Sequence, residues 1–254
     1  MCTASISRQK WLQGLEICVV LMPSDLLYPT GIKSLDFILA GGLPPSANIL
    51  LYGEPLCGKK PLLMQFVYEG LKMNIPGIFV LTDYGFADWK TMMESSGWPI
   101  KPYEQSGLLQ VIDCYSRQFD PSLQDSGIVT YIGDATDLSA ISLQLSGLQD
   151  QIVQISDSHR LGMHSLSSLL ETNSPESVFR FMQFITGKFR RAGATAMYVM
   201  EKGMHDEKHV TMVEHLMDGM VEFSEDKLRA RGLMGASPSW HKYELSDKGI
   251  RIIP

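Results

Sequence analysis

The sequence predicts an α/β fold: a mostly parallel central sheet with helices on both faces and a β-hairpin at the C-terminus. Three observations carry that expectation. Short apolar runs of strand character alternate with helix-periodic segments from Asn48 to Phe223, the pattern that parallel crossover connections produce. A glycine-framed loop, Gly53-Glu54-Pro55-Leu56-Cys57-Gly58-Lys59-Lys60, joins the first strand to the first long helix. Residues Trp240 to Ile253 alternate in polarity around Asp247-Lys248-Gly249, a hairpin signal.

Composition fits this class. A chain of 254 residues, 44% hydrophobic and 20% charged, can bury the core of one large domain and is not that of a disordered protein. Its net charge of −6 denies it the positive field that nonspecific nucleic-acid binding needs. The four cysteines, Cys2, Cys18, Cys57 and Cys114, include no C-x-x-C pair, which argues against a zinc site or disulfide framework and for a reducing cytosol. The apolar run Ile17 to Met22 is too short to span a bilayer and lacks the features of a signal peptide. A cytoplasmic protein without membrane attachment is therefore expected.

Residues 1–25 differ from the remainder: Ser7 to Leu12 has helical character and Ile17 to Met22 is β-like. Two readings of this extension stay open, a translation start at Met22 or an N-terminal arm that docks on a neighbouring subunit. The domain proper is expected over 26–254. Thr30 to Asp36, followed by Leu39-Ala40-Gly41-Gly42-Leu43-Pro44, reads as a short helix stopped by glycines and proline. Asn48 to Leu51 is a strand entering the glycine-framed loop, and Pro61 to Met73 a helix with Leu62, Leu63, Phe66, Val67 and Leu71 at helical spacing. Ile78 to Asp83 forms the second strand and sets Asp83 at its C-terminal edge, where ligands gather in such sheets. A helix over Phe86 to Ser96 closed by Gly97, a strand over Leu108 to Cys114, a loop or hairpin excursion over Asp120 to Asp134 and a helix from Thr136 to about Asp150 follow. Arg160 to Leu169 reads as a strand running into a serine-bearing loop, and Ser174-Pro175-Glu176 caps the next helix. Ala196 to Met200 is a strand, His209 to Met217 an amphipathic helix, and Gly219 to Phe223 a further strand.

The glycine-framed loop lies one residue from the phosphate-binding pattern G-x-x-x-x-G-K-[ST]. In the intact pattern backbone N–H groups curl round a phosphate, the lysine neutralises charge, and the Ser/Thr hydroxyl ligates Mg²⁺. Here Lys60 occupies the hydroxyl position, and an ammonium has no lone pair for a metal. Pro61 is tolerable in a helix's first turn. Gly53, Cys57, Gly58, Lys59, Lys60 and Pro61 are thus the candidate phosphate-binding residues, and Lys60 argues against bound Mg²⁺. The Cys57 thiol, near two lysines and a helix N-terminus, is expected to have a lowered pKa and to be redox-sensitive. His205 and His209 share i, i+4 spacing, but their polar surroundings favour a solvated loop and helix start over a metal site. The fifteen methionines suit core filling or a soft partner surface.

Thr30-Gly31-Ile32-x-x-Leu35-Asp36 with Gly41-Gly42-Leu43-Pro44, the phosphate loop, Phe66 to Leu71, Asp113 to Ser116, Ser165 to Leu170 and Ser246 to Ile250 together resemble the KaiC-like branch of the RecA superfamily of P-loop ATPases. Archaeal members are resembled in particular around Glu201 to Glu207. The resemblance implies a RecA-like P-loop domain, ATP or ADP as ligand, and subunits that assemble with the nucleotide at their boundary. It also implies a catalytic inventory that this chain lacks in several places. His164 stands where the family has the aspartate of the magnesium shell, and imidazole is a poor partner for that cation. Asp83 stands for the water-orienting glutamate, one methylene shorter, and a displacement of about an ångström can cost roughly a hundredfold. Gly232-Leu233-Met234-Gly235 aligns with a Lys-x-Arg-Gly segment that reaches the neighbouring subunit's γ-phosphate, with Arg229 and Arg231 one or two residues out of register; such a finger is worth about 10³ to 10⁵ in rate. A catalytically impaired protein follows, a regulatory or scaffold subunit with a protein partner or a second copy of itself. The alternatives are a slow ATPase in signalling or DNA repair, and a DNA-binding recombinase paralogue, which the acidic balance opposes.

Overall fold

A computed structural model describes residues 27–253; the helix expected over Ser7 to Leu12 and the β-like run expected over Ile17 to Met22 lie outside them. Ten strands form one sheet: β1 (Asn48–Gly53), β2 (Gly77–Leu81), β3 (Leu109–Asp113), β4 (Val129–Tyr131), β5 (His159–His164), β6 (Ala194–Glu201), β7 (Gly219–Ser224), β8 (Lys227–Arg231), β9 (His241–Ser246) and β10 (Gly249–Ile252). Their spatial order is β10-β9-β8-β7-β1-β6-β5-β2-β3-β4. The run from β7 to β4 is parallel throughout, whereas β8, β9 and β10 add antiparallel to the β7 side. The helices are α1 (Lys33–Ile38), α2 (Lys59–Lys72), α3 (Phe86–Ser95), α4 (Lys101–Ser106), α5 (Leu138–Ile152), α6 (Leu166–Thr172), α7 (Pro175–Arg191) and α8 (Glu207–Glu214).

Alternating side chains along each strand divide the core into two layers. Ile49, Leu51, Phe79 and Leu81 face α1, α2 and α3 together with Tyr243 and Ile250 of the C-terminal hairpin. Leu50, Ile78, Val80, Leu161 and Met163 face α5, α7 and α8. Burial on both faces explains the unbroken apolar runs in the central strands.

Four elements differ from the expectation. The Asp120 to Asp134 excursion contains β4, which extends the parallel edge beside β3. Lys227–Arg231 forms β8, with Leu228 and Ala230 turned inward. Lys101–Ser106 forms α4. The serine-bearing segment after β5 winds into α6, because Ser165 accepts from the Ser168 N–H as its N-cap.

His159 opens β5 with a 1% exposed side chain, and neither ring nitrogen has a hydrogen-bond partner. Burial lowers its pKa to about 4, below the unfolded value of about 6.5. A folded pKa below the unfolded one gives stability that is fully present above pH ~6.5 and is lost as pH falls toward 4. The loss is bounded at roughly 3 kcal/mol. Urea unfolding at pH 7, 5.5 and 4 is expected to show that decline, and His159→Phe is expected to flatten it; an equal slope in the variant would assign the acid sensitivity elsewhere.

Candidate functional site

Parallel pairing brings the C-terminal ends of four adjacent strands, β1, β6, β5 and β2, to one edge. Gly53 at the end of β1 is in register with Glu201 at the end of β6. Leu81 of β2 is in register with His164 of β5, and Asp83 follows two residues later. This edge is where a doubly wound sheet places its ligands.

The phosphate loop leaves β1 and turns into α2 at Gly58, whose φ of +98° is a conformation that glycine adopts at least cost. Helix α2 begins at Lys59, two residues before the expected Pro61, which therefore sits in the first turn. Its first turn holds two lysines and no acidic residue. Cations at a helix N-terminus oppose the macrodipole, so the two lysines cost the isolated helix some stability.

The hairpin braces the loop. The Tyr243 hydroxyl donates to the Cys57 carbonyl at 2.5 Å, with the Glu225 carbonyl 3.0 Å away. Leu245 packs so closely on Gly58 that an added Cβ would lie 2.7 Å from its Cδ2. The Ile250 N–H donates to Gln65 Oε1 of α2 at 3.0 Å.

The two lysines differ in their surroundings. Lys59 is 3% exposed; its Nζ donates to the carbonyls of Gly53 (2.7 Å) and Glu54 (2.5 Å) and to Glu201 Oε2 (2.8 Å), with Cys57 Sγ at 3.4 Å. Lys60 Nζ lies 3.9 Å from the centroid of the Tyr84 ring, a cation–π contact. Among the described residues no carboxylate comes within 4.0 Å of it. Burial pushes the Lys60 pKa down, against Asp83, Glu201 and Asp88, which pull it up.

Asp83 is a hub. Thr82 Oγ1 donates to its Oδ1 at 2.7 Å, Ser168 Oγ donates to the same atom, and Ser165 Oγ lies 3.1 Å from Oδ2. His164 Nδ1 is 3.3 Å from Oδ2. Burial alone would raise the Asp83 carboxyl, but His164 and then the Ser168 and Thr82 hydroxyls outweigh it and hold the pKa well below the usual carboxylate range. The Tyr84 ring neighbours both Lys60 and His164, its centroid 5.1 Å from that of the imidazole.

Of the sequence-predicted residues, the edge thus gathers Gly53, Cys57, Gly58, Lys59, Lys60, Pro61, Asp83 and His164. Three expectations need correction or relocation. The Cys57 thiol pKa is raised, because burial outweighs the neighbouring Lys59. His205 and His209 lie at a loop and the start of α8 as expected, but the His205 side chain is buried rather than solvated, with its Nδ1 3.6 Å from Glu171 Oε1. Among the described residues no group of three His, Cys, Asp or Glu side chains is placed to hold a metal ion. Arg229 and Arg231 lie on β8 rather than in the 232–235 turn, and both reach Glu222 Oε2 of their own chain, at 2.7 and 3.6 Å. Arg229 also stacks 4.4 Å from the Trp240 ring centroid.

The donor set fits phosphate and does not fit a phosphate-bound Mg²⁺. Lys60 offers no lone pair where the phosphate-binding pattern has a hydroxyl, and the Asp83 oxygens already accept from three hydroxyls, with His164 Nδ1 3.3 Å away. Glu201 and Tyr84 are the residues the motif reading missed. Glu201 lies one residue past the strand expected over Ala196 to Met200 and ends β6 in the structure; its proximity to the loop follows only from the strand order.

Comparison with known proteins agrees with this architecture. A UPF0273 protein of Methanopyrus kandleri is 28% identical over 236 residues, covering 89% of this chain and 91% of the relative. A UPF0273 protein of Thermotoga maritima is 27% identical over 240 residues, covering 89% and 95%. The crystal structure of a KaiC-like protein from Pyrococcus horikoshii OT3 superposes with a TM-score of 0.71 at 18% identity, over 90% of this chain and 99% of the other. No described helix is long and apolar enough to cross a membrane. A family model described as KaiC ATPase matches residues 28–254, and the chain belongs to that family.

Proposed function

We propose that this protein binds the phosphates of ATP or ADP through the 53–61 loop without a divalent cation, does not hydrolyse them at a useful rate, and acts as a regulatory or scaffold subunit toward a protein partner or further copies of itself. The observation that carries this reading is Lys60: a partly desolvated ammonium with a π face beside it and no carboxylate within 4.0 Å among the described residues, at the position where an active loop presents its metal ligand. A fixed cation there supplies part of the charge that Mg²⁺ would bring. Asp83 supports the absence of turnover. A general base works best with a pKa near the operating pH, whereas this carboxylate is held far below it and already accepts several hydrogen bonds.

Calorimetric titration with ATP and ADP is expected to give dissociation constants that agree within about twofold between excess chelator and excess Mg²⁺, with no phosphate released at high protein concentration. Binding that requires Mg²⁺ would overturn the charge substitution. Turnover that disappears in Lys59→Ala would establish the slow-ATPase alternative.

A further inference from the structure

We infer that Glu201 is a built-in competitor for the phosphate site: its carboxylate holds Lys59 in the loop, and a polyphosphate gains Lys59 only by displacing it. This rests on the reading that the loop binds phosphate. An ammonium has three N–H donors, and the carbonyls of Gly53 and Glu54 together with Glu201 Oε2 take all three. The two carbonyls belong to the loop itself, so Glu201 is the one charged partner that a ligand can replace. It is carried on a different element, β6, and the parallel register with Gly53 delivers it there. Its backbone is pinned, the Glu201 N–H donating to Ser167 Oγ at 2.8 Å and the Lys202 N–H to the Gly53 carbonyl at 2.8 Å. Its side chain is partly exposed, so release requires side-chain rotation into water and no rearrangement of the sheet.

The device also discriminates among ligands. A singly charged anion offers Lys59 no more than the carboxylate already does. Inorganic diphosphate, or the phosphate chain of a nucleoside di- or triphosphate, can meet Lys59, Lys60 and the first-turn N–H groups together, and so outcompetes a single carboxylate. The apparent affinity is then the intrinsic affinity reduced by the fraction of molecules in which Lys59 is free.

Titration of the full chain with inorganic diphosphate in the presence of chelator tests this. Glu201→Gln keeps the shape and an acceptor oxygen but removes the charge, and is expected to bind diphosphate about tenfold more tightly than the parent. Glu201→Asp, whose shorter carboxylate reaches Lys59 less well, is expected to fall between the two and serves where the Gln variant does not fold. Equal or weaker binding in the variant, with saturable binding by the parent, would overturn the competitor role and leave the phosphate reading standing. No diphosphate binding by either protein would overturn the phosphate reading, and the inference with it.

Discussion

Arg160→Met is expected to destabilise the protein by about 3–5 kcal/mol, since it strands several buried acceptors at once. Arg160 lies in β5 and is buried. Its Nη1 donates to the Thr30 carbonyl at 2.6 Å and to the Phe66 carbonyl, and its Nη2 donates to the Pro29 carbonyl at 2.7 Å. Its guanidinium packs 4.5 Å from the Phe66 ring centroid, and Gly70 of α2 leaves it room, an added Cβ there lying 2.5 Å from Arg160 Cδ. Burial lowers its pKa to about 10 against the pull of Asp36 and Glu69, which keeps it charged at neutral pH. One side chain thus ties the chain before α1 to the helix that carries the phosphate loop. Urea unfolding at pH 7 measures the loss, and Arg160→Lys, with three donors on a shorter reach, should recover part of it. A loss below about 1 kcal/mol would mean that water replaces the guanidinium through the cavity of about 60 Å³ that Arg160 lines with His159 and Thr195.

The fold was legible where its signals are local. The loop and its helix occupy one continuous window, and Gly58 needs its positive φ whatever surrounds it. The elements that escaped have weak local signals for physical reasons. Strand β4 is three residues long at a sheet edge; α4 buries no residue and so has no periodicity to read; β8 shows its charges outward and resembles a solvated run. The site was legible only as far as the motif extends. Glu201 contacts Lys59 across 142 residues of sequence, a pairing set by the order β1-β6-β5-β2, which alternating elements do not specify. The Cys57 thiol departs from the expectation for the same reason: its neighbouring lysines are local, whereas the packing against the hydrophobic core that raises its pKa is tertiary. Where an ionisable group's fate depends on burial against charge, nearby sequence reveals the charge alone.

Lys60→Met should separate the proposed function from the stability of the fold. The ammonium is partly desolvated, has no carboxylate within 4.0 Å among the described residues, and sits in the first turn of α2, where it opposes the helix dipole. A cation–π contact of about 0.5–2 kcal/mol offsets those costs. Methionine keeps the chain length and a favourable contact with the Tyr84 ring, so unfolding stability is expected to stay within about 0.5 kcal/mol of the parent. Diphosphate and metal-free ATP binding is expected to weaken by about 10- to 100-fold, since a charge-assisted hydrogen bond is worth about 1.5–3 kcal/mol. Weakening that accompanies a lowered melting temperature would instead assign Lys60 a structural role. Lys60→Thr restores the hydroxyl but leaves His164 beside Asp83, so it is expected to lose metal-free affinity without gaining Mg²⁺ dependence. Adding His164→Asp places a second carboxylate next to Asp83, and only this double variant is expected to bind ATP more tightly with Mg²⁺ than with chelator. The two substitutions then couple non-additively. Mg²⁺-dependent binding by Lys60→Thr alone would show that the replaced hydroxyl was the whole defect and that His164 takes no part in it.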